Sequence, residues 1–197
     1  MSCIEKLREI SKNNGGIIET ETAAEMGISR AMLSKLCKEN RLCRIAHGQY
    51  IFSDDMADEL LSIARRSEKI VFSHETALYL HGLSDRIPFV HSVTVPTGYV
   101  PSEGLKEVCR VYYIKPELFD LGKTVMKSPA GNGIFVYDLE RTVCDAVRSR
   151  NRIGTETFFA ALKLYADSPG KDLNRLNGYA RKLRVSNVLR GYLEVLL

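Results

Sequence analysis

The strongest constraint on what this chain can fold into lies in its first 52 residues, where short elements follow one another in a fixed order. Apolar residues at helical spacing predict a first helix that ends at Asn13–Gly16. Thr20 is predicted to cap a short second helix, which must stop at Gly27. Ser29 is predicted to cap a third helix, and two β-prone runs around a His47–Gly48 turn predict a hairpin.

This order of elements is typical of a winged helix-turn-helix. Such a fold needs a small residue, a turn glycine and two core positions so that two helices can cross closely. Those positions are matched by Ala23, Gly27, Leu33 and Leu36. The alternative is a small helical bundle that carries an unrelated hairpin.

The third helix is predicted to have one apolar face and one cationic face. The predicted buried face consists of Met32, Leu33, Leu36 and Cys37. Residues 27–52 hold five basic side chains and one acidic side chain, and such a basic zone is the usual footprint of a polyanion. The predicted DNA-binding residues, on this helix and around the hairpin turn, are Ser29, Arg30, Ser34, Lys35, Lys38, Arg44 and His47. The alternative is a solvated surface that contacts no partner.

From Asp54 onwards the pattern changes to strands followed by helices. One helix is predicted to begin at Asp54–Asp55, and another to run from its cap Ser73 to Gly82. The predicted strands are 90–95, 108–114, 123–127 and 133–137. The predicted later helices are 138–150, 155–166, 171–182 and 186–197. The fold class is therefore α+β, with a winged helix-turn-helix over residues 1–53 and a mixed domain with a small sheet and C-terminal helices over residues 54–197.

The net charge of +4 is unevenly distributed, because residues 53–147 carry −4 and residues 148–197 carry +6. Lys171, Arg175 and Lys182 fall within one predicted helix at separations that place them along one side. We interpret this stripe as a second surface for DNA or for a protein partner. A solvated helix face is the alternative.

Several residues resemble catalytic or metal-binding motifs, but none has the required pattern. A zinc-protease helix beginning at His74 would need a second histidine at position 78, which is Leu78. Cys37, Cys43 and His47 lack a fourth metal ligand. We therefore predict no catalytic residue, no metal and no cofactor, and a protein that is not an enzyme.

No apolar run approaches the ~20 residues that span a bilayer, so we expect neither a membrane segment nor a membrane partner. The five scattered cysteines are typical of reduced thiols rather than of a disulfide framework. The expected location is the cytoplasm.

The segment Ser73–Leu83, followed by Pro88, by the Val93–Pro96 strand and later by Asp138–Asp145, resembles the AbiEi family of antitoxins from bacterial abortive-infection systems. The resemblance implies an N-terminal winged helix that binds inverted repeats in its own promoter as an autorepressor. It also implies a second domain that counteracts a nucleotidyltransferase toxin in phage resistance, without a stable toxin complex. The alternative is an enzyme that covalently modifies the toxin and carries a DNA-binding leader domain. The oligomeric state stays open, and so does cooperative binding on DNA.

Two clusters within the family motif look structural. His74, Glu75 and Thr76 are predicted to fix their helix to the sheet. Asp138 is predicted to start a helix and to pair with Arg141 inside it.

Overall fold

The computed structural model describes residues 2–196, so Met1 and Leu197, the end residues of the two predicted domains, lie outside it. The fold class is α+β, as predicted, with two small sheets and a group of C-terminal helices. The chain forms two compact units. The first unit runs to Ser67 and includes Lys127–Ile134, and the second contains Glu68–Met126 and the chain from Phe135 onwards.

Within residues 2–196, the first unit contains four helices and a three-stranded antiparallel sheet. Its helices are α1 (Cys3–Asn13), α2 (Thr20–Glu25), α3 (Arg30–Lys38) and α4 (Glu59–Ala64). Its strands are β1 (Ile18–Glu19), β2 (Leu42–Ala46) and β3 (Gln49–Phe52). The central strand is β3, which pairs with β1 on one side and with β2 on the other.

One apolar core holds α1, α2, α3 and the sheet of the first unit together. Leu7 and Leu33 are fully buried in it, one from α1 and one from α3. Ile18 of β1 and Ala23 of α2 are also fully buried. Because Ala23 has a small side chain, α2 can pack closely against its neighbours, which confirms its predicted core position.

Three local predictions in the first unit are wrong. Thr20 begins α2 instead of capping it, because its hydroxyl donates to Gly48 O at 3.1 Å. The helix predicted from Asp54 begins only at Glu59, where Asp58 is the N-cap, and Met56 is exposed. Met32, predicted to lie on the buried face of α3, is 38% exposed.

Residues beyond position 53 form part of the first unit through Asp58. Its Oδ1 accepts from Leu61 N at 3.0 Å and so caps α4, while Oδ2 accepts from Ser128 Oγ at 2.5 Å. Asn132 Nδ2 also donates to Oδ2, at 2.8 Å. The compact unit thus extends past the predicted boundary, and the division of function at residue 53 stays a prediction.

A five-stranded sheet in the order β6-β5-β4-β8-β7 lies mostly in the second unit; Lys127 of β7 and residues 133–134 of β8 are assigned to the first. These strands are β4 (Val71–Phe72), β5 (His91–Pro96), β6 (Cys109–Ile114), β7 (Lys123–Lys127) and β8 (Gly133–Tyr137). The helices of the second unit are α5 (His74–Leu80), α6 (Glu103–Val108), α7 (Leu139–Arg148), α8 (Thr155–Asp167), α9 (Leu173–Lys182) and α10 (Ser186–Leu196). The pairs β4–β8 and β5–β6 are parallel, and β4–β5 is antiparallel.

Helix α7 lies at the centre of the second core. Val143, Cys144 and Val147 of α7 are buried in one cluster with Phe158 of α8 and Leu176 of α9. Leu162 and Tyr165 of α8 belong to the same cluster, whereas Phe159 and Leu164 are exposed. No helix within residues 2–196 is long and apolar enough to cross a membrane.

The start of α7 differs from its prediction in one respect. Asp138 is the N-cap, as predicted, and its Oδ1 accepts from Arg141 N at 2.8 Å. The Arg141 side chain, however, pairs with Asp145 one turn later, at 3.0 Å, and not with Asp138. Gly122, with φ of +76°, lies against this arginine, and a Cβ there would come within 2.7 Å of Arg141 Cβ. The predicted Asp138–Arg141 side-chain pair is therefore wrong, because the guanidinium turns into the core.

Helix α5 is fixed to the sheet by polar side chains, as predicted for Glu75 and Thr76. Ser92 of β5 donates its N–H to Thr76 Oγ1 at 2.8 Å and its hydroxyl to Glu75 Oε2 at 2.9 Å. The His74 ring stacks on Tyr112 of β6, with ring centroids 3.4 Å apart. Ser73 has the N-cap position but makes no capping bond with its side chain.

Candidate nucleic-acid interface

Helix α3 has the two faces that the sequence predicts, apart from Met32. The hydroxyl of Ser29 accepts from Met32 N at 3.2 Å, which confirms this serine as the N-cap. Leu33 and Leu36 are buried in the core. The polar residues on the outer side are all exposed: Arg30, Ser34, Lys35 and Lys38.

A tight turn fixes α3 relative to α2. Gly27 has φ of +79°, a conformation that side chains rarely adopt, and Ile28 N donates to Ala23 O at 2.9 Å. From α1, Lys6 Nζ donates to Met26 O at 2.9 Å, so the last carbonyl before the turn is also held. The outer face of α3 is therefore presented by a rigid support.

The β2–β3 hairpin carries the two remaining predicted residues, Arg44 within β2 and His47 at the turn. Arg44 Nε donates to Ala46 O at 3.2 Å, and Arg44 Nη2 lies 3.3 Å from His47 Nδ1. Because arginine can only donate, Nδ1 is the acceptor in this contact. Both side chains remain exposed.

One depression of about 410 Å³ brings the outer face of α3 and the hairpin turn together. Four predicted residues line it: Arg30, Ser34, Arg44 and His47. Ser29, Lys35 and Lys38 lie outside its lining, and Lys35 Nζ is 3.8 Å from Glu39 Oε1. The structure therefore joins the two predicted elements in one surface.

The depression also contains charged residues that the sequence interpretation missed. Glu19 and Glu21 line it, and Arg65 Nη1 lies 3.3 Å from Glu19 Oε2. Arg65 follows α4, which was predicted to belong to another domain, so no local pattern pointed to it. The ion pair offsets the negative charge of Glu19, one of the two carboxylates.

The predicted basic stripe near the C-terminus does not form on one helix. Helix α9 begins at Leu173, so Lys171 precedes it, and Lys171 Nζ donates to Ala166 O at 2.7 Å. Arg175 lies 3.6 Å from both Glu140 and Asp172. The premise of a three-residue stripe is wrong because two of its charges have local partners, and a partner surface at these residues stays a prediction.

His74 takes part in a hydrogen-bond chain that the sequence analysis did not predict. Thr94 Oγ1 donates to Ser73 Oγ at 2.8 Å, and Ser73 Oγ lies 2.9 Å from His74 Nδ1. On the other side of the ring, Nε2 lies 3.0 Å from Ser149 Oγ. The two serines are far apart in sequence from each other, so only the folded chain reveals the link.

The comparison with protein families concerns the segment that carries the predicted interface. Residues 5–53 match the family model described as "Transcriptional regulator, AbiEi antitoxin". The resemblance to AbiEi antitoxins is confirmed over this segment, which includes most of α1, the α2–α3 pair and the hairpin. The motifs from Ser73 to Asp145 lie outside the matched residues. The match supports a role as an antitoxin or transcriptional regulator.

A solved structure is similar in fold over most of the chain. The crystal structure of the RV2827C protein from Mycobacterium tuberculosis superposes with a TM-score of 0.69 at 14% sequence identity. The similarity covers 94% of this chain and 75% of that chain. No curated protein matches the sequence.

Proposed function

We propose that the first unit is a winged helix-turn-helix that binds inverted repeats in its own promoter and acts as an autorepressor. The observation that carries this proposal is the exposed cationic face of α3, which lies within the segment matched by the regulator family. A helix with buried leucines on one side and Arg30 and Lys35 on the other can enter a major groove without losing its support.

The arrangement of elements favours a winged helix over the helical-bundle alternative. Helices α2 and α3 are joined by the Gly27 turn, and β2 and β3 form a hairpin beside α3. In such folds the second helix of the pair reads base edges, and contacts outside it fix the position on the duplex. Arg44 of β2 and His47 of the hairpin turn would contact the flanking backbone or the minor groove.

The charges in the depression indicate how a duplex would sit on this surface. Among the lining residues, Glu21 would repel phosphates, whereas Arg30 and Arg44 would attract them; the charge of Glu19 is offset by Arg65. We therefore place the DNA backbone along the basic residues and not over Glu21. Lys35 and Lys38 extend the basic surface along α3.

We further propose that the second unit counteracts a nucleotidyltransferase toxin in an abortive-infection system active against phage. The toxin is a functional partner, and the proposal requires no stable complex with it. The protein would act in the cytoplasm, where both its DNA and its toxin partner are present. This part rests on the family resemblance, since antitoxin activity has no signature in residue chemistry.

In this proposal the second unit is not an enzyme. The direction of the hydrogen bonds around His74 supports that view. Ser73 Oγ accepts from Thr94 Oγ1, and its own proton can be donated to His74 Nδ1, 2.9 Å away. In that tautomer the neutral imidazole carries its proton on Nε2 and donates it to Ser149 Oγ, 3.0 Å away. A ring in that state cannot take a proton from Ser149, so this pair lacks a general base.

A promoter–reporter strain that also expresses the toxin tests the two halves separately. The Arg30→Ala/Lys35→Ala variant is expected to lose repression and keep protection from the toxin. The matched control is Arg86→Ala/Lys163→Ala, which removes the same charges from exposed sites in the second unit. Equal repression by wild type and the α3 variant would contradict the DNA-binding proposal. Loss of protection in Ser149→Ala, with its fold intact, would favour the toxin-modifying enzyme.

A further inference from the structure

The second unit contains a cavity of about 350 Å³ that the proposed function does not use. Residues of α5 and β6, and of α7 and the loop after it, line this cavity. Its polar lining includes His74, Arg141, Asp145, Arg148, Ser149 and Arg152. A recess of this volume is large enough for a small molecule.

Arg141 contributes a buried donor that is not satisfied. Its side chain is fully buried; Nε donates to Asp145 Oδ2 at 3.0 Å, and Nη1 donates to Leu118 O and Leu121 O at 2.9 and 2.7 Å. Within residues 2–196, Nη2 has no hydrogen-bond partner. Buried donors of this kind are nearly always paired, so an unpaired one in a cavity lining points to a missing acceptor.

The cavity carries an excess of positive charge. Asp145 is the one carboxylate among the lining residues, and it is already paired with Arg141. Arg148 and Arg152 have no carboxylate within ion-pair distance among the described side chains. Burial, together with these nearby arginines, holds the pKa of His74 well below its ordinary value, so the ring is neutral.

Ser149 adds a donor to the same lining. In the tautomer that carries the His74 proton on Nε2, Ser149 Oγ accepts from the ring, 3.0 Å away, and its own proton is available to a ligand. The cavity therefore offers a hydroxyl donor beside three arginines, and its only carboxylate is already paired.

We propose that this cavity binds the phosphate group of a small phosphorylated molecule. Arg148 and Arg152, which are exposed, would donate to the phosphate oxygens, and Ser149 Oγ would supply a further donor. Arg141 Nη2, which is closed off from solvent, would join them after a shift of its side chain. Arginine is suited to this role because its planar fork matches phosphate geometry and stays charged. A phosphate dianion also balances the two unpaired arginines, which a single carboxylate would not.

Free phosphate and a phosphate ester share this chemistry, so the test uses both. Isothermal titration of the full chain with inorganic phosphate, glycerol 3-phosphate and adenosine 5′-monophosphate is expected to show saturable binding of at least one probe. Tighter binding of an ester than of inorganic phosphate identifies an ester as the ligand, and the reverse identifies the free ion. Absence of saturable binding for all three probes overturns the proposal.

Two exposed arginines allow a variant that should fold. Arg148→Gln/Arg152→Gln is expected to weaken binding about tenfold or more, because two charge-assisted donors are lost. The matched control, Arg86→Gln/Lys163→Gln, removes two charges outside the cavity and is expected to bind like wild type. Equal binding by both double variants overturns the proposal.

A final pair of measurements separates this proposal from promoter binding. Arg141→Lys keeps the charge and removes Nη2, and it is expected to weaken phosphate binding if near-ultraviolet circular dichroism shows a native fold. If that variant does not fold, Arg148→Gln/Arg152→Gln alone decides the outcome. The latter variant is expected to bind promoter DNA like wild type. If it loses promoter binding and the wild type binds none of the small probes, the cavity contacts DNA and the proposal is wrong.

Discussion

Arg141 Nε lies 3.0 Å from Asp145 Oδ2, and both side chains are buried within the second unit. The same guanidinium donates to Leu118 O and Leu121 O, so it also holds the loop before β7. The guanidinium carbon, Cζ, lies 4.1 Å from the ring centroid of Tyr137. One arginine thus links α7, a loop and the sheet.

The first prediction concerns the stability that this pair confers. Arg141→Ala should lower the free energy of unfolding by about 3–5 kcal/mol, because it leaves a buried carboxylate and two loop carbonyls without their partner. Arg86→Ala, which breaks an exposed pair with Glu156, should leave it nearly unchanged. Urea denaturation measures both, and equal effects would contradict a structural role for the buried pair.

The second prediction concerns pH and His74, whose pKa lies well below 6.5 because of burial and then because of the arginines around it. At pH values between the lowered pKa of folded His74 and its ordinary pKa of about 6.5 in the unfolded chain, the unfolded state binds more protons. The free energy of unfolding therefore falls as the pH drops below about 6.5. Between about pH 7 and about pH 5.5 the wild type should lose about 1 kcal/mol or more relative to His74→Asn.

Asparagine is the suitable replacement because His74 has φ of +47°, which asparagine tolerates better than most residues. Urea denaturation at the two pH values gives the comparison, with His47→Asn as the exposed control. Parallel loss of stability in wild type and His74→Asn would show that His74 does not titrate as described.

Local signals predicted most elements, because caps and glycine turns act within a few residues. Strands β7 and β8 have their predicted bounds, and the Ser29 and Asp138 caps are in place. Helix α6 was missed, since its six residues follow Ser102 and include Gly104, which weakens any helical pattern. The local sequence was sufficient to predict an element where the contacts that form it are local.

The third prediction concerns the hairpin turn and salt. If Arg44 contacts the DNA backbone, Arg44→Ala should reduce the slope of log affinity against log salt by about 1, because one fewer counterion is released. Binding should weaken similarly on promoter and on unrelated duplexes. Fluorescence anisotropy at several salt concentrations measures the slope, and an unchanged slope would remove Arg44 from the interface.

The fourth prediction separates the residues of the predicted basic stripe. Lys171→Met should lower the free energy of unfolding by about 1–2 kcal/mol, because its ammonium bonds carbonyls at the end of α8. Lys182→Met should change it by less than about 0.5 kcal/mol, since that side chain is exposed. Thermal denaturation checks both. An unchanged free energy of unfolding in Lys171→Met would show that this lysine is a free surface charge.

The parts of the site that escaped prediction depend on contacts between distant segments. Arg65 lines the depression and forms an ion pair with Glu19. Ser149 contacts His74, which lies 75 residues earlier in the chain. The Arg141–Asp145 pair was missed although it lies within one helix, because Asp138, three residues before Arg141, also has a spacing that suits an intrahelical pair. Spacing alone could not show that the guanidinium turns into the core.

The central claim is that α3 reads the protein's own promoter, and fluorescence anisotropy with a promoter duplex and a scrambled duplex tests it most directly. The wild type should prefer the promoter, and Arg30→Ala/Lys35→Ala should lose about 1–3 kcal/mol of that preference, as expected for a lost base contact. Arg86→Ala/Lys163→Ala should bind like wild type. Equal affinity of the wild type for both duplexes, or an unchanged preference in the α3 variant, would contradict the account.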